Sequence, residues 1–297
     1  MSGAGFLAAV GRALEAGAEA VTWENLARLQ GRRYFAHHSE DVDDFGFDPK
    51  FNAAVTPFFE FLYTLWWRVD VTGIEHVPAA GPGIIVGNHS GVLPWDGLMV
   101  NLAVRHEHPA ARQCRMLALD MFALLPFLAP LLARTGGVRA NPENGERLLR
   151  RGELVGVFPE GIKGVGKPYK NRYKLARFGR GGFVRLALRT GAPMVPCAVV
   201  GAEEVHPKIG SMDWVGRPFG LPYFPITPTF PALGPLGVVP LPSKWTIDFG
   251  EPVPVTRYGP EAADDPILVN RLTEQLRATV QRMLDARLAA RQSVWFG

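Results

Sequence analysis

The chain has 297 residues, of which 47% are hydrophobic and 20% charged, with a formal net charge of +4. This size and composition exclude a disordered or collagen-like protein and suffice for one large α/β domain with a substantial core. Cys114 and Cys197 lie in apolar, strand-like segments without metal-site or redox spacing. That pattern favours buried, unreactive thiols in a reducing compartment.

The first part of the chain is predicted to be helical and separate from the main domain. Residues 4–30 have helical spacing, and a polar, acidic loop separates them from the bulky segment 51–69. The aromatic residues of that segment suit either the core or an interfacial helix holding Trp66 and Trp67 at headgroup depth. We therefore assign residues 1–68 to an N-terminal helical segment, with its membrane contact left open. The first twenty residues lack the basic region of a signal peptide.

From residue 69 onward, strand-like and helix-like patterns alternate. Strands are predicted at 69–77, 83–87, 115–119, around Val138, and at 154–158, 194–200 and 245–249. Helices are predicted at 96–105, 121–133, 143–150 and 181–189. This alternation favours an α/β fold with a mainly parallel mixed sheet flanked by helices, spanning residues 69–260.

Two late segments differ from this pattern. Residues 215–243 are rich in proline and apolar side chains, which excludes a helix or a central strand. The segment suits a lid, a wall of an acyl tunnel, a bilayer contact or a loop over the core. Residues 261–297 contain a charged amphipathic helix, predicted over 261–292, whose leucines recur at helical spacing. We interpret that helix as structural.

Membrane contact is predicted to be peripheral. The longest apolar run, Leu117 to Ala133, is interrupted by Asp120, Pro126 and Pro130. It is shorter than the roughly 20 residues that a spanning helix needs. We therefore expect a protein that lies on a bilayer, peripheral or monotopic.

Positive charge is concentrated between residues 161 and 202. This stretch contains no Asp or Glu, and its basic residues are Lys163, Lys167, Lys170, Arg172, Lys174, Arg177, Arg180, Arg185 and Arg189. Such a block is either a solvated face or a surface that attracts phosphate groups of lipids, cofactors or nucleic acid. No recognition helix or stacking platform accompanies it, so we predict no nucleic-acid partner.

A histidine and an acidic residue follow the predicted strand 83–87. His89 comes at the carboxyl end of that strand, where ligand sites of open α/β sheets gather, and Asp96 opens the next helix. A carboxylate on one ring nitrogen leaves the other free to accept a proton from a hydroxyl. Taken alone, the pair could also be a structural histidine with a satisfied hydrogen bond. Ser90 lacks the G-x-S-x-G context of a nucleophile.

A second motif, Phe158-Pro159-Glu160-Gly161, ends the predicted strand 154–158. It places a carboxylate and a flexible backbone at the same sheet edge as His89. Lys163 and Lys167 follow directly. Together these residues predict a polar site for a hydroxyl-bearing or anionic acceptor.

In order and spacing, these motifs resemble the glycerophospholipid (lysophospholipid) acyltransferase family. The likeness comprises Asn88-His89 with a downstream Asp, then Phe-Pro-Glu-Gly, then Pro193-Met194-Val195-Pro196, over about residues 60–255. These motifs' departures from the family pattern, together with the segment 178–204, lean towards the branch with monoacylglycerol-acyltransferase-like members. Six residues, including Pro94, separate His89 from Asp96, whereas the family usually has four. Ile162-Lys163 stands where the family often has Thr-Arg.

The resemblance implies an αβ-fold O-acyltransferase without a cofactor, in which acyl-CoA or acyl-carrier protein is the donor substrate. It implies His89 as general base and Asp96 as its orienting partner. Substrate contacts would come from Glu160, Gly161, Lys163, Lys167 and Arg139, and Val195 and Pro196 would lie beside the acyl chain.

The implied acceptor is a glycerolipid hydroxyl, such as that of 1-acylglycerol 3-phosphate, in phospholipid biosynthesis. The implied partner is a membrane lipid surface, on its cytoplasmic side. A neutral glyceride or another lipid alcohol remains an alternative acceptor, and a lipid or thioester hydrolase remains an alternative activity. Oligomeric state is not predicted.

Overall fold

A computed structural model describes residues 41–90, 93–118, 128–216 and 224–297. The predicted helix at 4–30 lies outside these residues. The strands are β1 (Asp70–Thr72), β2 (Gly83–Gly87), β3 (Cys114–Ala118), β4 (Val138–Arg139), β5 (Leu154–Val157), β6 (Met194–Val200), β7 (Gly210–Ser211), β8 (Pro225–Ile226) and β9 (Thr246–Phe249). The helices are α1 (Pro49–Phe61), α2 (Trp95–Glu107), α3 (Leu128–Arg134), α4 (Pro142–Arg150), α5 (Ile162–Val165), α6 (Gly182–Thr190), α7 (Asp213–Gly216) and α8 (Pro266–Ala290).

In the described residues, seven strands form one mixed sheet in the order β1-β9-β6-β2-β5-β3-β4. All neighbouring pairs are parallel except β6 and β9. Strand β2 lies in the centre, where Ile84 pairs with Val155 of β5 and with Met194 of β6. The predicted fold class, a mainly parallel mixed sheet flanked by helices, is confirmed.

The sheet is buried on both faces, as expected for parallel strands covered by helices. Ile84 and Val86 of β2 face a core built with α4, α6 and α8. Ile85, between them, faces the second core, which α1, α2 and a group of tryptophans complete. Because successive strand residues point to opposite faces, β2 contributes to both cores.

Local signals in the sequence explain where the main helices begin and end. The carboxylate of Asp265 accepts hydrogen bonds from the backbone N–H groups of Ile267 and Leu268, and Pro266 occupies the first helical position of α8. Asn141 caps α4 in the same way. These caps satisfy N–H groups that have no partner within the helix. The proline and its cap also divide the predicted helix 261–292 into a short 3₁₀ turn at Pro260–Asp264 followed by α8.

The predicted strand 69–77 is shorter than expected. Strand β1 ends at Thr72, and a 3₁₀ turn at Ile74–His76 follows. Gly73 adopts φ +68°, and a Cβ atom there would lie 2.0 Å from the carbonyl oxygen of Phe249. The positive φ ends the extended conformation, and the close approach of the Phe249 backbone leaves no room for a side chain at Gly73.

The aromatic segment after residue 49 belongs partly to the core and partly to the surface. Helix α1 continues as a π-helical turn at Leu62–Trp66. Trp67 is fully buried and stacks on Trp245 with ring centroids 4.6 Å apart. The alternative that placed Trp67 at headgroup depth is therefore wrong. Leu65 remains 67% exposed.

Residues 215 and 216 of the Pro-rich segment complete α7, so the exclusion of a helix is wrong for these two residues. The described residues 224–243 form short β8, a 3₁₀ turn at Gly234–Val238 and loops, with no α-helix or central strand among them. Of the predicted helix 121–133, only residues from 128 onward are described, and they form α3. No helix in the described ranges is both long and apolar enough to cross a membrane. Both cysteines are buried, and burial raises the pKa of Cys114 to about 12, which agrees with unreactive thiols.

Candidate active site

His89 and Asp96 are in direct contact at the carboxyl end of β2. His89 Nδ1 lies 2.7 Å from Asp96 Oδ2, which also accepts a hydrogen bond from the backbone N–H of Ser90 at 2.9 Å. Asp96 is fully buried and His89 is 5% exposed. The six intervening residues thus bring the pair together, because α2 begins at Trp95 and its first turn carries Asp96. The carboxylate holds the proton on Nδ1, so Nε2 is the ring nitrogen that can accept another.

Two further contacts fix the position of the imidazole. Its ring stacks on Phe158, with centroids 4.7 Å apart and planes inclined by 11°. Asn88 exchanges two hydrogen bonds with the backbone of Val199, at 2.9 and 2.7 Å, which ties the loop after β2 to β6. The sequence analysis missed both roles. Their only signal was position, since Asn88 precedes the histidine and Phe158 begins the Pro-Glu-Gly turn.

A tryptophan next to Asp96 anchors the start of α2. Trp95 packs edge-on against Trp67, with centroids 5.6 Å apart, and its Nε1 donates a hydrogen bond to Nε2 of His206 at 3.3 Å. Burial lowers the pKa of His206 to about 4. The imidazole of His206 is therefore neutral near pH 7 and able to accept this bond.

Glu160 contacts the backbone of the loop that carries His89. Its Oε1 accepts a hydrogen bond from the backbone N–H of His89 at 3.1 Å, and its Oε2 accepts one from Ala176 at 2.7 Å. Only 4% of the residue is exposed. The contact with an acceptor, implied by the family likeness, stays a prediction. The contacts in the structure are those of a residue that holds His89.

Lys167 lies between two buried carboxylates. Its Nζ is 3.3 Å from Glu160 Oε2 and 3.4 Å from Glu203 Oε1, and 7% of its side chain is exposed. Burial raises the pKa of Glu203 to about 7, although Lys167 and the backbone N–H of Tyr173 favour its ionised form. Lys167 thus balances carboxylate charge inside the protein.

The turn after Glu160 requires two glycines. Gly161 has φ +57° and ψ −140°, a backbone conformation that residues with a Cβ atom rarely adopt. At Gly164 a Cβ atom would lie 2.8 Å from the Cβ of His89 and 2.9 Å from that of Glu160. The turn therefore closes directly against the histidine.

A cavity of about 280 Å³ opens beside His89. Most of its lining is apolar and comes from α2, β3, α3, β5 and the start of α6. Lining side chains include Leu98, Met116, Leu132, Val157, Phe178 and Phe183. Such a space, with one titratable group at its edge, suits a lipid chain whose polar end reaches the imidazole.

The remaining predicted site residues do not line this cavity. Lys163 is exposed on α5, and Arg139 is exposed on β4 next to the lining residue Ala140. Val195 is buried in the core below α2, and Pro196 packs against the position of Gly250. Their roles stay predictions. The glycine-rich approach to α6, residues 179–182, does line the cavity and was missed, its only signal being the Gly-Arg-Gly-Gly composition.

The comparisons with known proteins agree with this geometry. The family model described as Acyltransferase matches residues 68–200, which include both motifs and the strands that carry them. An uncharacterized protein of Mycobacterium tuberculosis is 51% identical over 257 residues, which cover 86% of this chain and 72% of that protein. The chain belongs to the acyltransferase family.

More distant relatives have names that refer to lipid synthesis. The Homo sapiens protein named DGAT1/2-independent enzyme synthesizing storage lipids is 25% identical over 224 residues, 74% of this chain and 62% of that protein. The crystal structure of the 1-acyl-sn-glycerophosphate (LPA) acyltransferase PlsC from Thermotoga maritima matches with a TM-score of 0.51 and 20% identity. That match covers 82% of this chain and 81% of the other. This last likeness supports the fold.

Proposed function

We propose that this acyltransferase moves a fatty acyl group from acyl-CoA or acyl-carrier protein to the hydroxyl of a glycerolipid, in the first instance a lysophospholipid such as 1-acylglycerol 3-phosphate. The observation that carries the proposal is the 2.7 Å contact between His89 Nδ1 and Asp96 Oδ2 at the edge of an apolar cavity. A general base beside a space for a lipid chain is what direct acyl transfer to a lipid alcohol requires.

The proposed reaction needs no covalent enzyme intermediate. Nε2 of His89 takes the proton of the acceptor hydroxyl while its oxygen attacks the thioester carbonyl. The carbon–sulfur bond then breaks, and the thiolate takes the proton back from the imidazolium. Asp96 stabilises that imidazolium, because its buried carboxylate faces the Nδ1 proton. The new ester and the free thiol are the products, and the imidazole returns to its neutral form.

We further propose that the enzyme works on a membrane surface. The apolar rim, defined as Leu65, Leu236, Val239, Trp295 and Phe296, consists of side chains that are 45–85% exposed. Two hydrogen-bonded contacts connect its segments. Trp66 Nε1 donates to the carbonyl oxygen of Pro240 at 3.0 Å, and the Arg68 guanidinium donates to that of Trp295. Exposed apolar side chains with a tryptophan among them and an arginine beside them suit the bilayer interface.

This rim lies at the sheet edge that carries His89. The carboxyl end of β6, at Val200, pairs with Thr246 at the start of β9, and Trp245 precedes it beside Trp67. Binding to vesicles of phosphatidylglycerol and phosphatidylcholine should fall when Leu65 and Leu236 are both replaced by Asp. Ile267→Asp, a change at an exposed apolar residue outside the rim, should leave binding unaltered. Equal binding by all three proteins would refute the role of the rim.

A second acceptor class has one specific observation in its favour. The name of the human relative refers to storage lipids, so a neutral glyceride is the alternative acceptor. An assay with palmitoyl-CoA and a panel of 1-acylglycerol 3-phosphate, glycerol 3-phosphate and monoacylglycerol, read by lipid mass spectrometry, separates the two. Release of free fatty acid without an acylated lipid would favour the hydrolase instead.

His89→Ala tests the proposed chemistry. Loss of the general base should lower kcat by about two to four orders of magnitude. Because the change leaves the Asp96 carboxylate without the imidazole, circular dichroism and thermal unfolding should accompany the assay. His106→Ala, at an exposed histidine on the last turn of α2, is the matched control. Near-normal turnover of folded His89→Ala would reject the proposal.

A further inference from the structure

The lining of the cavity beside His89 is poor in charge. Within the described part of the chain, Arg180 is its only permanently cationic residue, and no Asp or Glu contributes to it. Arg180 is exposed to solvent. Its guanidinium has no hydrogen bond or ion pair with the residues described. A cationic residue that lines a cavity and lacks an internal partner is available to an anionic ligand.

The cations predicted from the sequence to contact the substrate are either held in ion pairs or located outside the cavity. Lys167 is held between Glu160 and Glu203 with 7% of its side chain exposed. Lys163 and Arg139 do not line the cavity. The substitution of Ile162-Lys163 for the more usual Thr-Arg therefore leaves the cavity without a cation from that turn, and Arg180 supplies one from the loop before α6.

The backbone next to Arg180 adds donors of the same kind. Helix α6 begins at Gly182 and spans nine residues, and no side chain caps its N-terminus. Gly181, Gly182 and Phe183, at this end of α6, all line the cavity. A Cβ atom placed on Gly182 would meet nothing within 4 Å, so space is open there. The unpaired N–H groups and positive end of a helix favour an anion at this position.

We infer that Arg180, with the first turn of α6, binds the phosphate of an anionic acceptor and thereby directs its hydroxyl to His89. Arg180 is thus the residue that makes the enzyme prefer a phosphate-bearing glycerolipid to a neutral glyceride. The inference rests on the proposed acyl transfer. The same chemistry would recognise a phosphate of coenzyme A, so the test must vary donor and acceptor separately.

Steady-state kinetics of Arg180→Ala provide that separation. The KM for 1-acylglycerol 3-phosphate should rise about 10- to 100-fold, the range for loss of a charge-assisted hydrogen bond. The KM for palmitoyl-CoA and the kcat/KM for monoacylglycerol should stay within about twofold. Arg180→Lys should recover part of the loss, because it keeps the charge but not the planar fork. Arg177→Ala, an exposed arginine of the same loop outside the cavity lining, is the matched control.

Two kinetic outcomes would overturn the inference. One is an unchanged KM for the phosphate-bearing acceptor. The other is a KM increase for palmitoyl-CoA with both acceptors, which would assign the phosphate to the donor.

A binding measurement separates failure of this inference from failure of the proposed reaction. Calorimetric titration of His89→Ala protein with short-chain 1-acylglycerol 3-phosphate and with the matching monoacylglycerol needs no turnover. Binding of the phosphate-bearing probe should be tighter, and adding Arg180→Ala should remove the difference. Equal binding of both probes before that change would refute the role of Arg180, even if acyl transfer by the wild-type protein is demonstrated.

Discussion

Replacing Asp96 by Asn tests how the dyad works. The Oδ2 atom accepts from His89 Nδ1 at 2.7 Å and from the backbone N–H of Ser90 at 2.9 Å, while Oδ1 accepts from the N–H of Gly97 at 2.8 Å. An asparagine amide group must therefore point an N–H at a donor on one side or the other. If the amide nitrogen takes the Oδ2 position, the imidazole is driven to the wrong tautomer.

The size of the effect follows from these contacts. If the amide oxygen stays at the Oδ2 position, the tautomer survives. The imidazolium then loses a charged partner, a difference of about 1–2 kcal/mol or roughly tenfold in rate. If the amide turns round, the loss reaches about 10⁴-fold, as in the serine-protease triad that serves as the general example. We expect kcat to fall between these limits, with KM for the acceptor changed less than threefold. One buried donor–donor contact should also cost about 1–3 kcal/mol of unfolding free energy.

The assay is acyl transfer from palmitoyl-CoA to the preferred acceptor, run beside urea unfolding of the same protein. Asp265→Asn is the matched control. It makes the same chemical change at the cap of α8, where Asn serves as well as Asp. An Asp96→Asn protein with wild-type kcat would refute the assignment of Asp96 as the partner of the general base. A parallel loss of activity in the control would point to general destabilisation.

Two further changes probe the buried network behind the histidine. Glu160→Gln should lower kcat at least tenfold with little change in the acceptor KM, because a glutamine presents an N–H to the backbone of either His89 or Ala176 and displaces the imidazole. A raised KM with normal kcat would instead support the acceptor contact first predicted for Glu160. Glu203→Gln should alter the pH dependence of stability. The folded state holds a proton on Glu203 between its unfolded pKa near 4.5 and its folded pKa of about 7, so wild-type stability declines over that window. The variant should gain up to about 1.4 kcal/mol per pH unit relative to the wild type as pH rises through it. Buried His206 titrates in the opposite sense in both proteins and cancels in the difference, and a flat difference would contradict this account.

The main elements of the fold were predictable because local patterns specify them. Continuous apolar runs predicted β2, β5 and β6 within a residue of their observed ends, since strands buried on both faces cannot be polar on either. The ends of some strands and helices were not predictable in this way, because they involve contacts between residues distant in sequence. Gly73, the residue after β1, adopts φ +68° beside the backbone of Phe249, which is distant in sequence. The order of the strands, with β9 lying between β1, to which it is parallel, and β6, to which it is antiparallel, also had no local signal.

By itself, the sequence determined the α/β architecture, the His89–Asp96 pair, the Pro-Glu-Gly turn and the family to which the chain belongs. These features depend on short segments, where residue type and spacing directly constrain the backbone. Only the tertiary structure decided which charges face the cavity. Lys167 lies between buried carboxylates and Lys163 outside the lining, whereas Arg180 reaches the cavity from the start of α6. The physical reason is that the position of a charged residue in the sequence does not tell which surface or cavity its side chain faces. Burial and pairing, set by residues far apart in the chain, determine which side chain is left to meet a ligand.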